Sequence, residues 1–210
     1  MRPARVPDVV VRRLAQYLRL LEEHGLMLGH YISSQELAEL AGVTPAQVRK
    51  DLATFGEFGK QGVGYPARDL KVQLRSILKT DRPTNVAILG MGELGAALAR
   101  YLTREQPDEA SRPFRLVALF DVDPNKVGQH VQGIVIDHLD ALAERVAGKG
   151  VQIAVLTVPA SAAQFVLERA VKAGVRLFLN FAPVKLRAPE GVKVNSADVS
   201  LELHQLAFYL

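Results

Sequence analysis

The chain has 210 residues, 49% of them hydrophobic and 23% charged, which suits one large domain or two small ones with buried cores. It contains no cysteine, which excludes disulfides, thiolate zinc sites and cysteine nucleophiles together. The net charge of +4 is unevenly placed: residues 1–79 carry 12 Lys and Arg against 8 Asp and Glu, whereas residues 80–210 carry 14 of each. An excess confined to the first third points to nucleic acid as a partner there, although scatter alone produces such an excess as readily.

The longest apolar stretch, 86–99, is interrupted by Glu93 and three glycines and is shorter than the roughly 20 residues a membrane-spanning helix needs. The basic start of the chain runs into a polar amphipathic pattern rather than a signal-peptide core. A cytoplasmic protein with no membrane partner is expected.

A first helix is expected over 7–24, with Val10, Leu14, Tyr17, Leu18 and Leu21 on one stripe. Ser33 and Glu36 then have the spacing of a capping box, opening a helix that carries Leu37, Leu40 and Ala41 and stops at Gly42. Two residues later Thr44 can cap a second helix, with Pro45 at its first position and Gln47 completing a second capping box.

Two short helices joined by a glycine turn form a helix-turn-helix, whose second helix puts its early residues against base edges in the major groove. That helix is expected over 45–55, with Val48 and Leu52 inward and Ala46, Gln47, Arg49 and Lys50 outward. Arg pairs bidentately with guanine and Gln with adenine, while Lys50 suits a phosphate equally. A small three-helix protein-interaction module is the alternative.

Phe58-Gly59-Lys60-Gln61-Gly62-Val63-Gly64-Tyr65 reads as a tight glycine-rich hairpin, the wing of a winged helix. Such a tip can approach a narrow minor groove, whose negative potential attracts Lys60. Thr44, Ala46, Gln47, Arg49, Lys50, Gly59, Lys60 and Gln61 are therefore the candidate DNA-binding residues. Leu70, Leu74, Ile77 and Leu78 mark a connecting helix, and the polar, proline-containing stretch 80–84 ends this part of the chain.

Beyond it, apolar runs at 85–89, 115–120, 152–158 and 176–179, with a short one at 134–136, alternate with helical patterns at 94–103, 139–147 and 162–173. Continuous apolar strands between helices indicate a parallel sheet covered on both faces, a doubly wound α/β domain.

Gly90-Met91-Gly92-Glu93-Leu94-Gly95 fits G-x-G-x-x-G in the context that the motif requires, after a strand and opening a helix. Gly90 permits the turn, Gly92 the approach of a pyrophosphate and Gly95 close helix–strand packing, with the helix amino terminus holding the phosphates. Asp121 ends the next strand, where a carboxylate accepts from ribose hydroxyls and repels a 2′-phosphate, favouring NAD(H). It comes 31 positions after Gly90, an excess attributed to the stretch 105–113, and Asp123 and Lys126 complicate the choice. Thr157 and Pro159, and Asn180 and Phe181, end two other strands and either surround the nicotinamide half of the cofactor, with Phe181 as an apolar wall, or are simply turn chemistry.

The histidines have no evident partner arrangement for acid–base work, and no catalytic residue or metal site is assigned. Only some 110 residues follow the linker, room for a cofactor domain and not for a separate substrate domain. A cofactor sensor without turnover is expected, the alternative being a small NAD-dependent oxidoreductase with an appended helical interaction module. Finally, Ser196 can cap a last helix in which Val199, Leu203, Leu206 and Leu210 mark one apolar face and Leu201 and Phe208 another. Such a helix wants two partners, its own domain and a second subunit; burial within its own domain is the other possibility.

The combination resembles the Rex family of bacterial redox-sensing transcriptional repressors across essentially the whole chain. The resemblance rests on residues 43–52, the segment 58–65, the loop 90–95 and Leu179-Asn180-Phe181-Ala182-Pro183. It implies an α/β protein with an α+β amino-terminal module: a winged helix over 1–79, a Rossmann domain binding NADH and NAD+ over 80–195, and a helix exchanged between the subunits of a homodimer over 196–210. It implies binding to palindromic double-stranded operator DNA when NADH is scarce and release when NADH binds. By the same resemblance Tyr101 lies near the nicotinamide, and Asp198 and Arg12 or Arg13 take part in interdomain contacts.

Overall fold

The computed structural model describes residues 6–23, 30–56, 58–59, 62–104 and 113–210. The chain divides into two compact units, Met1–Arg82 and Pro83–Leu210.

The first unit contains α1 (Asp8–Glu23), β1 (Tyr31–Ile32), α2 (Ser34–Ala41), α3 (Pro45–Ala53), β2 (Tyr65–Pro66) and α4 (Ala67–Ile77). The stripe Leu14, Tyr17, Leu18 and Leu21 buries one face of α1 against Leu37, Val48 and Leu52 of the two short helices. Leu70 and Leu74 of α4 are fully buried in the same cluster, so this helix is part of the core rather than a mere connector. Each such leucine contributes about 1.5–3 kcal/mol.

The caps explain where the short helices begin and end. Ser33 Oγ accepts from Glu36 N–H at 3.1 Å while the Glu36 carboxylate accepts from Ser33 N–H at 2.7 Å, and these bonds hold the Glu36 carboxyl below its ordinary value. Gly42, left-handed at φ +65°, closes α2. Thr44 Oγ1 accepts from Gln47 N–H at 3.2 Å to open α3. No second capping box forms, because the Gln47 side chain turns to Asp51 instead.

The expected hairpin at 58–65 is also rearranged. Its carboxyl-terminal limb pairs with β1, in the register Tyr31↔Pro66 and Ile32↔Tyr65. The limbs still close on each other: a Cβ on Gly59 would stand 2.7 Å from both the Gly64 carbonyl oxygen and the Tyr65 ring. Lys60 and Gln61, expected at the tip, lie outside the described residues.

The second unit is a seven-stranded sheet with α5 (Glu93–Thr103), α6 (Leu142–Lys149), α7 (Ala160–Lys172) and α8 (Val199–Ala207). Its strands are β3 (Thr84–Leu89), β4 (Phe114–Asp121), β5 (His130–Val131), β6 (Ile134–His138), β7 (Ile153–Leu156), β8 (Leu177–Asn180) and β9 (Lys193–Ser196), in the order β5-β6-β4-β3-β7-β8-β9. All neighbours are parallel except β5 and β6, which form an antiparallel edge pair.

Alternation along β3 feeds two cores, Ala87 and Leu89 on one face and Val86 and Ile88 on the other. The chain leaves β3 between β4 and β7, so the crevice at their carboxyl ends is the topological switch point where open α/β sheets take ligands.

Three expectations at the edges need correction. β5 and β9 were not expected as strands, since His130–Val131 and Lys193–Ser196 each offer one apolar residue. The pattern at 139–147 is a 3₁₀ turn, Leu139–Ala141, followed by α6. Ser196 does not cap the last helix: it ends β9, and Asp198 caps α8 by accepting from Leu201 N–H at 3.1 Å. No residue of α8 is buried.

Candidate functional site

The glycine loop assigns a different task to each glycine. Gly90 turns the chain at φ +102°, and a Cβ there would stand 2.7 Å from Val158 Cγ1 and 2.8 Å from the Thr157 carbonyl oxygen. A Cβ on Gly95 would collide with the Gly90 carbonyl oxygen. A Cβ on Gly92 would meet nothing within 4 Å, so that glycine leaves clearance for a ligand. Gly92 is also the N-cap of α5 and has no side chain to cap it, which leaves first-turn amides for an anion.

These residues open onto a cleft of about 690 Å³. Gly90, Gly92, Glu93, Leu94, Asp121, Thr157 and Pro159 line it, as do Val122, Lys126, Val158 and Phe165. Phe165 is 57% exposed, and the Arg169 guanidinium lies 5.7 Å from the centre of its ring.

Asp121 is held by donors on both oxygens. Oδ1 accepts from Val122 N–H at 2.7 Å and Asp123 N–H at 2.9 Å; Oδ2 accepts from Met91 N–H at 2.7 Å and Lys126 Nζ at 3.4 Å. Burial alone would push its carboxyl up, but the three backbone donors and the Lys126 charge overcome it and hold it below its ordinary value. The carboxylate thus marks the end of β4 and also ties the glycine loop down.

The other expected cofactor residues are placed differently. The Met91 side chain is buried among Val86, Ile88 and Ala99. Thr157 lines the cleft, but its hydroxyl is spent on the Gly90 carbonyl at 2.7 Å. Asn180 is fully buried: its Nδ2 donates to the Ala182 and Val184 carbonyls at 3.0 and 3.1 Å, and its Oδ1 accepts from Ala182 N–H at 3.0 Å. It shapes the turn after β8 and does not line the cleft. Phe181 packs against the cluster on the α5 face that holds Met91, and the aromatic residues lining the cleft are Phe120 and Phe165. Tyr101 is 72% exposed and lies eight residues along α5 from Glu93, a rise of about 12 Å.

In the first unit Thr44, Ala46, Arg49 and Lys50 are exposed on α3, while Gln47 is half-buried. Arg49 Nη1 donates to Ser34 Oγ at 2.9 Å. Behind them, Asp51 accepts from Arg13 Nε and Nη2 at 2.6 and 2.8 Å, from Tyr17 Oη at 3.0 Å and from Gln47 Nε2 at 2.7 Å. Arg13, expected at a contact between domains, is thus committed to Asp51 within its own unit.

Known proteins bear on both units. A family model described as "Putative DNA-binding protein N-terminus" matches residues 5–53, and one described as "CoA binding domain" matches residues 81–184. The chain is 47% identical over 204 residues to the redox-sensing transcriptional repressor Rex of Thermus thermophilus, covering 97% of this chain and 93% of that protein. It is 43% identical over 203 residues to the Rex of Natranaerobius thermophilus, covering 97% and 90%. The chain belongs to the Rex family of redox-sensing transcriptional repressors.

Among solved structures, the Rex-family repressor RSP in complex with β-NAD+ and operator DNA matches with a TM-score of 0.87 at 34% identity, covering 98% of this chain and 93% of that one. RSP in complex with β-NADH matches with a TM-score of 0.84 at 32% identity, covering 98% and 94%. The fold class expected from sequence, a DNA-binding amino-terminal domain followed by a parallel-sheet Rossmann-like domain, is the Rex fold. Rex proteins are repressors rather than enzymes, which settles the alternative of an oxidoreductase. No helix among the described residues is long and apolar enough to cross a membrane.

Within this Rex chain, sequence reasoning placed Lys126 beside Asp121 but missed Val122 and Phe165 in the cleft and the donors gathered around Asp51. Phe165 sits in a helix whose pattern otherwise reads as core, and its only outward signal is its position in the first turns after Pro159. Asp51 had a findable signal: it is an acidic residue on the stripe of Val48 and Leu52, where burial demands a partner.

Proposed function

We propose that this chain is an NADH/NAD+-responsive repressor that binds palindromic operator DNA as a homodimer and leaves it when NADH occupies the second unit. The observation that carries this reading is the cleft at the switch point, with an uncapped helix amino terminus and a Gly92 that leaves room for a pyrophosphate. Residues 1–79 act as the winged-helix DNA reader, 80–195 as the NAD(H) domain and 196–210 as a helix exchanged between subunits.

The cofactor is assigned to Gly90, Gly92, Glu93, Leu94, Gly95, Thr157 and Pro159, with the Met91 amide and Asp121 setting the loop. Asp121 sits where a 2′-phosphate would meet a carboxylate, so the cleft favours NAD(H), and the exposed Val122 and Phe165 offer apolar surface to a flat ring. Tyr101 reaches a nicotinamide ring only if a second subunit brings one to it. DNA is assigned to Thr44, Ala46, Gln47, Arg49, Lys50, Gly59, Lys60 and Gln61. The bare apolar residues of α8, among them Leu203 and Leu206, support a second copy of the chain as the partner. The protein acts in the cytoplasm, where operators and the NAD(H) pool coexist.

NAD+ carries a charged nicotinamide ring and NADH a neutral one, and only a difference in affinity between two states shifts their balance. Near-complete reversal needs about 5.5 kcal/mol, summed over the coupled sites. A gel-shift titration of the full chain on duplex DNA tests the reading. NADH is expected to dissociate the complex, NAD+ to leave it intact, and added salt to weaken it. Binding indifferent to both cofactors and to salt overturns the reading.

A further inference from the structure

Phe165 is out of place by the logic of its own helix. α7 buries Ala163, Val166, Leu167 and Ala170, whereas Phe165 stands off that stripe and is 57% exposed. It lines the cleft, and because the other aromatic residue there, Phe120, is fully buried, the Phe165 ring is the one with surface left for a ligand among the described residues.

Side chains on a helix lean toward its amino terminus, so this ring leans over the first turn of α7, whose Ala162 also lines the cleft. The Arg169 guanidinium comes against the ring from one turn further along, 5.7 Å from its centre. Arg169 is tied in its turn: Nη1 lies 2.8 Å from Asp140 Oδ1, and Asp140 Oδ2 lies 3.1 Å from His138 Nδ1. The Arg169 bond, with His138 beside it, holds the Asp140 carboxyl below its ordinary value, so the pair is ionised at neutral pH. An exposed pair of this kind adds little stability, but here it fixes where a ring stands.

Strand register indicates which end of the cofactor comes there. β4 and β6 are neighbours with Asp121 opposite His138, so Asp140 lies just beyond the strand end beside the ribose carboxylate. In a Rossmann crevice that carboxylate takes the ribose of the adenosine half. The base on that ribose points away from a pyrophosphate held at Gly92 and toward β6, the side to which Arg169, by reaching Asp140, brings Phe165.

We propose that Phe165, steadied by Arg169 and Asp140, is the platform on which the adenine of the cofactor stacks. The proposal rests on the assignment of the cleft to NAD(H). Stacking on adenine is blind to the oxidation state at the other end, so Phe165 sets the affinity that NADH and NAD+ share and leaves their ratio alone. Arg169 and Asp140 are positioning residues that act through the ring.

Calorimetric titrations of the full-length chain test this with NADH, NAD+ and ADP-ribose, which keeps the adenosine and the pyrophosphate but lacks the nicotinamide. Phe165→Ala should weaken all three by the same factor of about tenfold, while Phe165→Tyr stays within about twofold of wild type. If Phe165→Ala does not fold, Phe165→Leu, which removes the π face and keeps apolar bulk, carries the same comparison. Arg169→Met should cost about threefold in the wild type and nothing further beside Phe165→Ala. An equal loss in both backgrounds means direct attraction to the cofactor and overturns the positioning role.

A loss for NADH and NAD+ without one for ADP-ribose puts the nicotinamide on the ring and overturns the proposal, as does a Phe165→Ala chain that binds all three like wild type. A wild-type chain that binds none of the three overturns the NAD(H) assignment and this proposal with it.

Discussion

Each unit is organised around a carboxylate with filled acceptor positions, and the two are filled in different ways. Asp51 is held almost wholly by side chains, from Arg13 and Tyr17 of α1 and Gln47 of its own helix. Asp121 is held mainly by backbone amides, two from the residues just after it and one from the glycine loop. The first arrangement locks one helix against another, because losing Arg13 would strand a buried charge. The second secures a loop while leaving the fold to the sheet. The DNA-reading unit therefore depends on its carboxylate for stability, and the cofactor unit depends on its carboxylate for the shape of the cleft.

Truncating the two carboxylates should separate those roles most strongly at Asp51. Asp51→Ala leaves the Arg13 guanidinium and the Tyr17 hydroxyl without their acceptor and should destabilise the first unit by about 3–5 kcal/mol. Urea unfolding of the full chain should show the loss in the first unit's transition alone. A loss under 1 kcal/mol would break the contrast.

In the second unit the largest effect should come from Gly92→Val. The space around Gly92 is free, so stability should fall by no more than the roughly 1 kcal/mol that a poorer N-cap costs, while NADH binding by calorimetry weakens by at least about tenfold. Unchanged NADH affinity would move the pyrophosphate away from this loop. A smaller effect is expected from Asp121→Asn, which removes the charge and turns an amide nitrogen toward one set of the donors that the carboxylate satisfied. Discrimination against NADPH should fall by about tenfold, with a loss of roughly 1–3 kcal/mol in the unfolding of the second unit. Equal NADH and NADPH affinities in the wild type would remove the carboxylate from that role.

Acid should give the smallest and most graded difference. Both carboxyls lie below their ordinary value in the folded chain, so each contributes stability that is present above the unfolded value near 3.8 and is lost as pH falls through the lower folded value. Between pH 5 and 3 the first unit of Asp51→Ala should lose stability less steeply than that of the wild type. Parallel slopes would mean that other carboxyls dominate acid unfolding.

Much of this architecture was legible in the sequence because local signals and burial agreed. The strands β3, β4, β7 and β8 are continuous apolar runs, and the caps at Ser33, Thr44 and Gly42 sit where side-chain chemistry alone puts them. The edge strands β5 and β9 escaped because an edge needs little apolar surface. The cleft was less legible, since facing it depends on how a strand end is turned by its neighbours. Asn180 and Thr157 both end strands, yet one is consumed by its own turn and the other by the Gly90 carbonyl. Gln47 completed a capping-box spacing, and a buried acid one turn away redirected it.

The glycine loop also sorts the mutations that genetics would recover. Side chains at Gly90 or Gly95 meet backbone, so alleles there should lower the amount of protein and behave as losses of repression. A side chain at Gly92 leaves the fold and the DNA-reading unit untouched and fills only the space kept for the cofactor. Alleles at that one position should yield a super-repressor, dominant over the normal copy in mixed dimers and deaf to the reducing state of the cell.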